Sequence, residues 1–294
     1  MAFLYAAVTV LAWGIWLVPS QNVRFSGQQV RIFYVAVTNL FIAGMVAAAK
    51  GLHKITPDVF WFPFVGGLIW ALGGWAAFTA TDKIGLVRAY GIWAPLNILV
   101  SIFFGAVLFR EFVSLNAHTT LILLTSLALI ITGVLIIVFS KDGGPDTRSG
   151  HASVWGLACA IAAGFLWAAY YIPVKISNAS MWVAAFPLAC GMFVGCLAIV
   201  VISRQPMRLP GGNAYLRAIG SGFLWACGNY GMLLMVETLG AGKGYTISQL
   251  ALVVNAICGI YVLKTPAPHT RPARLSLAGC VIATIGAITL GRLK

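Results

Sequence analysis

Residues 70–90 read WALGGWAAFTATDKIGLVRAY, and residues 225–245 read WACGNYGMLLMVETLGAGKGY. Laid together at an offset of 155 without a gap, Trp70 falls on Trp225, Ala71 on Ala226, Gly73 on Gly228, Trp75 on Tyr230, Asp82 on Glu237, Gly85 on Gly240, Arg88 on Lys243 and Tyr90 on Tyr245. Shared hydrophobicity alone does not align tryptophan with tryptophan, glycine with glycine, acid with acid and base with base in this way, so the chain carries an internal repeat. A second match, offset by 154, sets LAWGIWLVP (11–19) against FLWAAYYIP (165–173). There Trp13 falls on Trp167, Trp16 on Tyr170 and Pro19 on Pro173.

Outward from these segments the chain is 61% hydrophobic and 9% charged over 294 residues, whereas soluble chains carry roughly 25% charged residues. Apolar runs recur at 2–19, 28–49, 58–81, 86–109, 118–140, 153–175, 179–203, 213–238, 244–263 and 273–292. Each approaches the ~20 residues that a helix needs to cross hydrocarbon, and none alternates as a barrel strand would. The sequence therefore predicts an all-α integral membrane protein with ten transmembrane helices, multi-pass in a cell membrane, of the bacterial inner or plasma type. The polar, Gly-rich linker 141–152 separates a first unit, 1–140, from a second, 153–294. Five spans per unit is an odd number, so the second copy is expected to enter the membrane upside down. Inverted repeats of this kind place a substrate at the bilayer midplane and rock about it.

Other classes fit poorly. The net charge of +13 comes from 19 Lys and Arg scattered through the loops without a basic run, a pattern of membrane-edge anchoring and not of nucleic-acid binding. Six cysteines lie inside predicted spans with no CxxC or Cys/His cluster, so they read as small apolar residues; no metal and no cofactor is expected. His53, His118, His151 and His269 fall at span edges or in loops, which leaves an enzyme without paired acids or a ligand cluster. The first run lacks a basic start and a cleavage site and is expected to stay as a span. Lys and Arg number 7 on the side of the termini and 12 opposite, which leans towards termini outside, and termini inside stand beside it as the other reading.

The partners implied are the lipid bilayer and a small-molecule substrate. In the fourth run, Tyr90, Trp93 and Asn97 share one helix face behind Arg88, and in the ninth Tyr245, Ser248, Gln249, Leu252 and Asn255 form a similar stripe. Amides in hydrocarbon point into a bundle or a wet cavity. These stripes either line a substrate cavity or serve helix packing. Trp13, Trp16 and Trp75 sit away from predicted ends, Trp167 and Tyr170 answer Trp13 and Trp16 three apart on their own helix, and Asn229 lies one turn past Trp225; Trp61, Trp155 and Trp182 read as interfacial belts. Pro95 is expected to kink the fourth run, while its aligned residue Leu250 leaves the ninth intact; Pro19 and Pro173 read as span boundaries. Asp82 and Glu237 each precede a base by six residues, Arg88 and Lys243. Those pairs are structural, gating or, as a third reading, anion-binding, and the two acids are the ones near enough to carry a coupled proton. Rings, amides and hydroxyls suit a neutral polyhydroxy solute. Small residues every four positions in the last run (Gly279, Ala283, Ala287, Gly291), with Gly191 and Gly195, allow close helix contacts within one chain or in a homodimer.

With an acid just past the fourth run (FREF, Glu111), this layout resembles the drug/metabolite transporter superfamily. GIWLVPS and GLVRAYGIWAPLNILVSIFFGAVLFRE are similar to the bacterial glucose/ribose uptake porters and, more distantly, to the rhamnose–proton symporters. The resemblance implies a secondary transporter for a monosaccharide, working by alternating access. Other subgroups of the superfamily move nucleosides, purine-like ureides, amino acids and quaternary amines, which stand as the alternative substrates.

Overall fold

Hydrocarbon offers no partner to a peptide N–H or C=O, and helices meet that demand internally. The computed structural model describes residues 1–84, 86–112, 116–140, 154–262, 264 and 266–292, and among the described residues there is no strand. The helices are α1 (Ala2–Ile15), α2 (Gln28–Lys50), α3 (Pro57–Ile84), α4 (Leu86–Val107), α5 (Ala117–Ser140), α6 (Val154–Ala169), α7 (Ile172–Ile176), α8 (Met181–Ile202), α9 (Gly212–Leu239), α10 (Ala241–Ser248), α11 (Ala251–Tyr261) and α12 (Arg271–Gly291). Among the described residues eight stretches are long and apolar enough to cross a membrane, counting α6 with α7 and α10 with α11 as single stretches; α1 and the Ile92–Val107 part of α4 are apolar but shorter. Phe41, Leu121 and Ile202 stand exposed on the outer surface. In water this would be unfavourable, but a lipid-covered surface accommodates it. The linker 141–152 lies outside the described residues.

Small residues let the helices touch backbone to backbone. A Cβ on Gly133 of α5 would strike the backbone of Gly279 and Ala283 in α12, and one on Gly191 of α8 would strike the Phe64 carbonyl of α3. Both small-residue ridges are therefore used inside the chain. Further close pairs are α1 with α9, α3 with α6, α2 with α8 and α9, α4 with α6 and α10, and α1 with α11.

Helix breaks fall elsewhere than prolines suggest. Pro95 lies inside α4, which runs on as one helix, whereas the chain breaks at Gln249–Leu250, between α10 and α11. The cause is local. The Ser248 hydroxyl donates to the Tyr245 carbonyl at 2.5 Å, the acceptor that the Gln249 N–H would otherwise use. The Gln249 N–H turns to the Thr246 carbonyl, and the next bonds also span three residues, Leu250 to Ile247 and Leu252 to Gln249. That is a 3-10 turn set into a helix. Pro173 likewise does not end its run: the break is at Tyr170–Tyr171, and Pro173 opens α7, where its missing N–H costs nothing.

Candidate substrate cavity

The repeated WAxG motif explains itself at the centre of the molecule. The Trp13 indole N–H donates to the Trp225 carbonyl at 3.1 Å, and the Trp167 indole N–H donates to the Trp70 carbonyl at 3.2 Å. Three residues after each accepting carbonyl comes a glycine, Gly228 or Gly73, and a Cβ there would collide with the indole of Trp13 or Trp167. Tryptophan supplies the carbonyl and glycine supplies the room. The rings then close on one another: Trp13 stacks on Trp225 at 6.1 Å, Trp70 tilts against Trp225 at 4.8 Å, and Trp93 meets Trp167 edge-on at 5.6 Å between centroids.

Between these rings lies a cavity of about 430 Å³, within the roughly 300–1,000 Å³ of small-molecule sites. It is lined by Trp13 of α1, Trp16 just after it, Trp93 and Asn97 of α4, Trp167 of α6, Tyr170, Tyr245 of α10, and Gln249 and Asn255 at the helix break and beyond. All of these were singled out by the sequence. Asn97 is buried and its side-chain oxygen has no hydrogen-bond partner. Asn255 donates from Nδ2 to the Gly14 carbonyl at 3.3 Å, holding the last turn of α1 against α11.

Other expected site residues fall elsewhere. Trp75 is 38% exposed on the outer surface, edge-on to Trp155. Asn229 is fully buried behind the wall, accepting from the Tyr170 hydroxyl at 3.1 Å. Of the charged set, Asp82 lines the cavity, Glu237 is exposed and Lys243 is half-buried away from the lining. The side chains of Tyr90 and Arg88 lie outside the described residues. The structure adds residues that the sequence did not single out as lining: Trp70 and Trp225, both inside the repeat, and Gln28, Arg31, Phe78 and Thr81.

The cavity's two ends differ. At one, where α2 begins and α3 ends, Gln28 and Asp82 are exposed. At the other, Tyr170, Tyr171 and Tyr245 are buried and form a plug, with Tyr171 stacked on Tyr245 at 4.8 Å. The Tyr245 hydroxyl donates to the Trp167 carbonyl at 2.6 Å, and the Tyr171 hydroxyl to the Ala241 carbonyl at 3.4 Å. Behind the plug, Glu111 pairs with Lys175 at 2.7 Å. The same carboxylate accepts from the Ala241 and Gly242 N–H groups, an acid on the positive end of α10. Lys175 also lies over the Phe109 ring, 4.2 Å from its centroid. One carboxylate thus ties together the end of α4, α7 and the start of α10.

A multi-pass, all-helical membrane protein with a solute-sized, ring-lined chamber open at one end and plugged at the other has the form of a membrane transport protein. The chain belongs to the sugar transport protein family, which it matches over residues 4–293. It is 27% identical over 294 residues to the "Putative sugar uptake protein" of Bacillus anthracis, with 100% of each chain covered. It is 26% identical to the "Glucose uptake protein GlcU" of Bacillus subtilis (strain 168), across 100% of this chain and 99% of that one. A solved crystal structure shares the fold at a TM-score of 0.68 and 20% identity, over 98% of this chain and 95% of that one.

Proposed function

We propose that this sugar transport family member carries a neutral monosaccharide by alternating access, with no chemistry performed on it, and that residues 1–140 and 153–294 are inverted five-helix repeats making ten crossings. The observation that carries the substrate assignment is the chamber of about 430 Å³ in which the Asn97 amide oxygen is buried without a partner. Indole and phenol faces cover the C–H patches of a sugar ring, and a sugar hydroxyl supplies the donor that Asn97 lacks.

The repeat is supported by an exchange of contacts. Swapping α1 with α6, α2 with α8, α3 with α9, α4 with α10–α11 and α5 with α12 carries the α1·α9 pair onto α6·α3, α2·α9 onto α8·α3, and α1·α11 onto α6·α4. The same swap carries the Trp13–Trp225 hydrogen bond onto Trp167–Trp70. A scaffold built this way has equivalent hinges at both ends. Here the Gln28–Asp82 end is open; the opposite state separates Glu111 from Lys175, parts the tyrosine plug and closes over the present mouth.

The test is uptake of radiolabelled glucose into proteoliposomes, with sugars, nucleosides, amino acids and quaternary amines as competitors. Sugars alone are expected to compete, and Trp93→Ala is expected to abolish uptake while the protein stays folded. Competition by a charged or heterocyclic solute and by no sugar overturns the substrate assignment.

A further inference from the structure

The plugged end of the cavity is built from tyrosine rings, but its mouth holds a cation, Arg31, one of whose buried donors is left without an acceptor. Gln28, Arg31 and Ile32, spaced three and four apart on one face of α2, all line the chamber. Arg31 Nε is buried and has no hydrogen-bond partner. The ion pair between Lys175 and Glu111 lies at the other end of the chamber and does not involve this guanidinium. The guanidinium rests over the Phe25 ring, 4.9 Å from the centroid.

Its position in the helix is also unfavourable. Arg31 is the fourth residue of α2, whose first turn carries no acid, so a positive side chain sits beside the positive pole of the helix. A buried donor without an acceptor is expensive to keep, and the Phe25 ring beneath the guanidinium gives the charge some support without giving Nε a hydrogen-bond acceptor. Asp82 shares the same mouth, which keeps the region from selecting an anion on charge alone. A guanidinium presents parallel N–H groups that match two neighbouring oxygens, and a neutral sugar offers them as adjacent hydroxyls.

We infer that Arg31 is a specificity-determining residue, donating from its guanidinium to two adjacent hydroxyls of the sugar at the mouth while Asn97 engages the deeper end. This rests on the sugar-carrier reading above. The consequence is selection by hydroxyl pattern: a sugar lacking one of the two hydroxyls gains nothing from Arg31.

The test uses the full chain in detergent, following quenching of cavity tryptophan fluorescence during titration with D-glucose and each of its monodeoxy derivatives. Wild type, Arg31→Gln and Arg31→Lys are compared, with circular dichroism to verify folding. Arg31→Gln is expected to raise the Kd for glucose about 10- to 100-fold, the loss of a charge-assisted hydrogen bond. Arg31→Lys, which keeps the charge but not the fork, is expected to fall between. One or two monodeoxy sugars should show the same weakening with wild type and no further weakening with Arg31→Gln. An equal loss for glucose and every deoxy sugar in both variants marks Arg31 as structural and overturns the inference. So does an unchanged Kd, or a wild-type preference for glucuronate over glucose that Arg31→Gln removes. If wild type binds no sugar, the function proposed above falls and this subsite with it; sugar binding that Asn97→Ala abolishes and Arg31→Gln leaves intact sinks the Arg31 role alone.

Discussion

Asn97 is left incomplete by the fold. An unpaired buried acceptor costs about 1–3 kcal/mol, so Asn97→Ala is expected to leave the melting temperature unchanged or raised while uptake falls to background; thermal unfolding beside uptake checks this, and lost stability with normal uptake would assign the amide to structure. Gly228 carries the opposite kind of constraint. Its missing Cβ makes room for the Trp13 indole, so Gly228→Ala is expected to destabilise by about 1–3 kcal/mol through overpacking and to reduce uptake by moving Trp13 off the Trp225 carbonyl. Much at this scale was legible. The repeat sets Trp70 on Trp225 and Gly73 on Gly228 without giving them a role, and the stripe through Trp93 and Asn97 lines the cavity. Trp75 was misleading because depth along a helix does not say which face a ring occupies. Five residues past Trp70, at about 100° per residue, it lies roughly 140° around α3 and points outward. Arg31 was hidden by its place at the start of an apolar run, although Gln28, Arg31 and Ile32 have the spacing of a stripe.

Among the elements, the span formed by α10 and α11 is the one whose shape the sequence did not disclose. Proline is the usual sign of a broken helix, yet Pro95 sits in an unbroken one and the break follows a serine. A hydroxyl competing for a carbonyl leaves almost no trace in hydropathy, because serine is common in helices that stay straight. Ser248→Ala should return the Tyr245 carbonyl to the Gln249 N–H and straighten the turn; the expected outcome is a several-fold drop in uptake with stability unchanged, measured by initial rates and thermal unfolding. The tie at Glu111 joins three elements at once. Glu111→Ala strips both the Lys175 partner and the cap on α10, and is expected to cost more stability, about 1–3 kcal/mol, than Lys175→Met, which leaves the cap in place. Equal losses would show that the cap contributes nothing.

For the molecule as a whole, apolar run lengths were enough to anticipate helices and a lipid-covered exterior. Which end stands open was not readable, because it depends on a few contacts between distant segments. If Lys175–Glu111 holds the plug shut, releasing it shifts the population towards the opposite state. A Gln28→Cys chain should then react more slowly with a membrane-impermeant thiol reagent when Lys175→Met is added, and an unchanged rate would separate the ion pair from gating. This pair also lacks a mirror image: the repeat offsets carry Glu111 onto Pro266 and Lys175 onto Gln21. Under the alternating-access proposal, this pair favours the orientation seen here and has no repeat-related counterpart to favour the other. Apparent affinity scales with the fraction of molecules ready to bind, so if that orientation is the more populated one, half-saturation is expected at a lower concentration on the Gln28 face than on the other. For unpowered movement, detailed balance makes the maximal velocities in the two directions differ by the same ratio. Such lopsidedness sets how fast each compartment fills, and leaves the final levels equal.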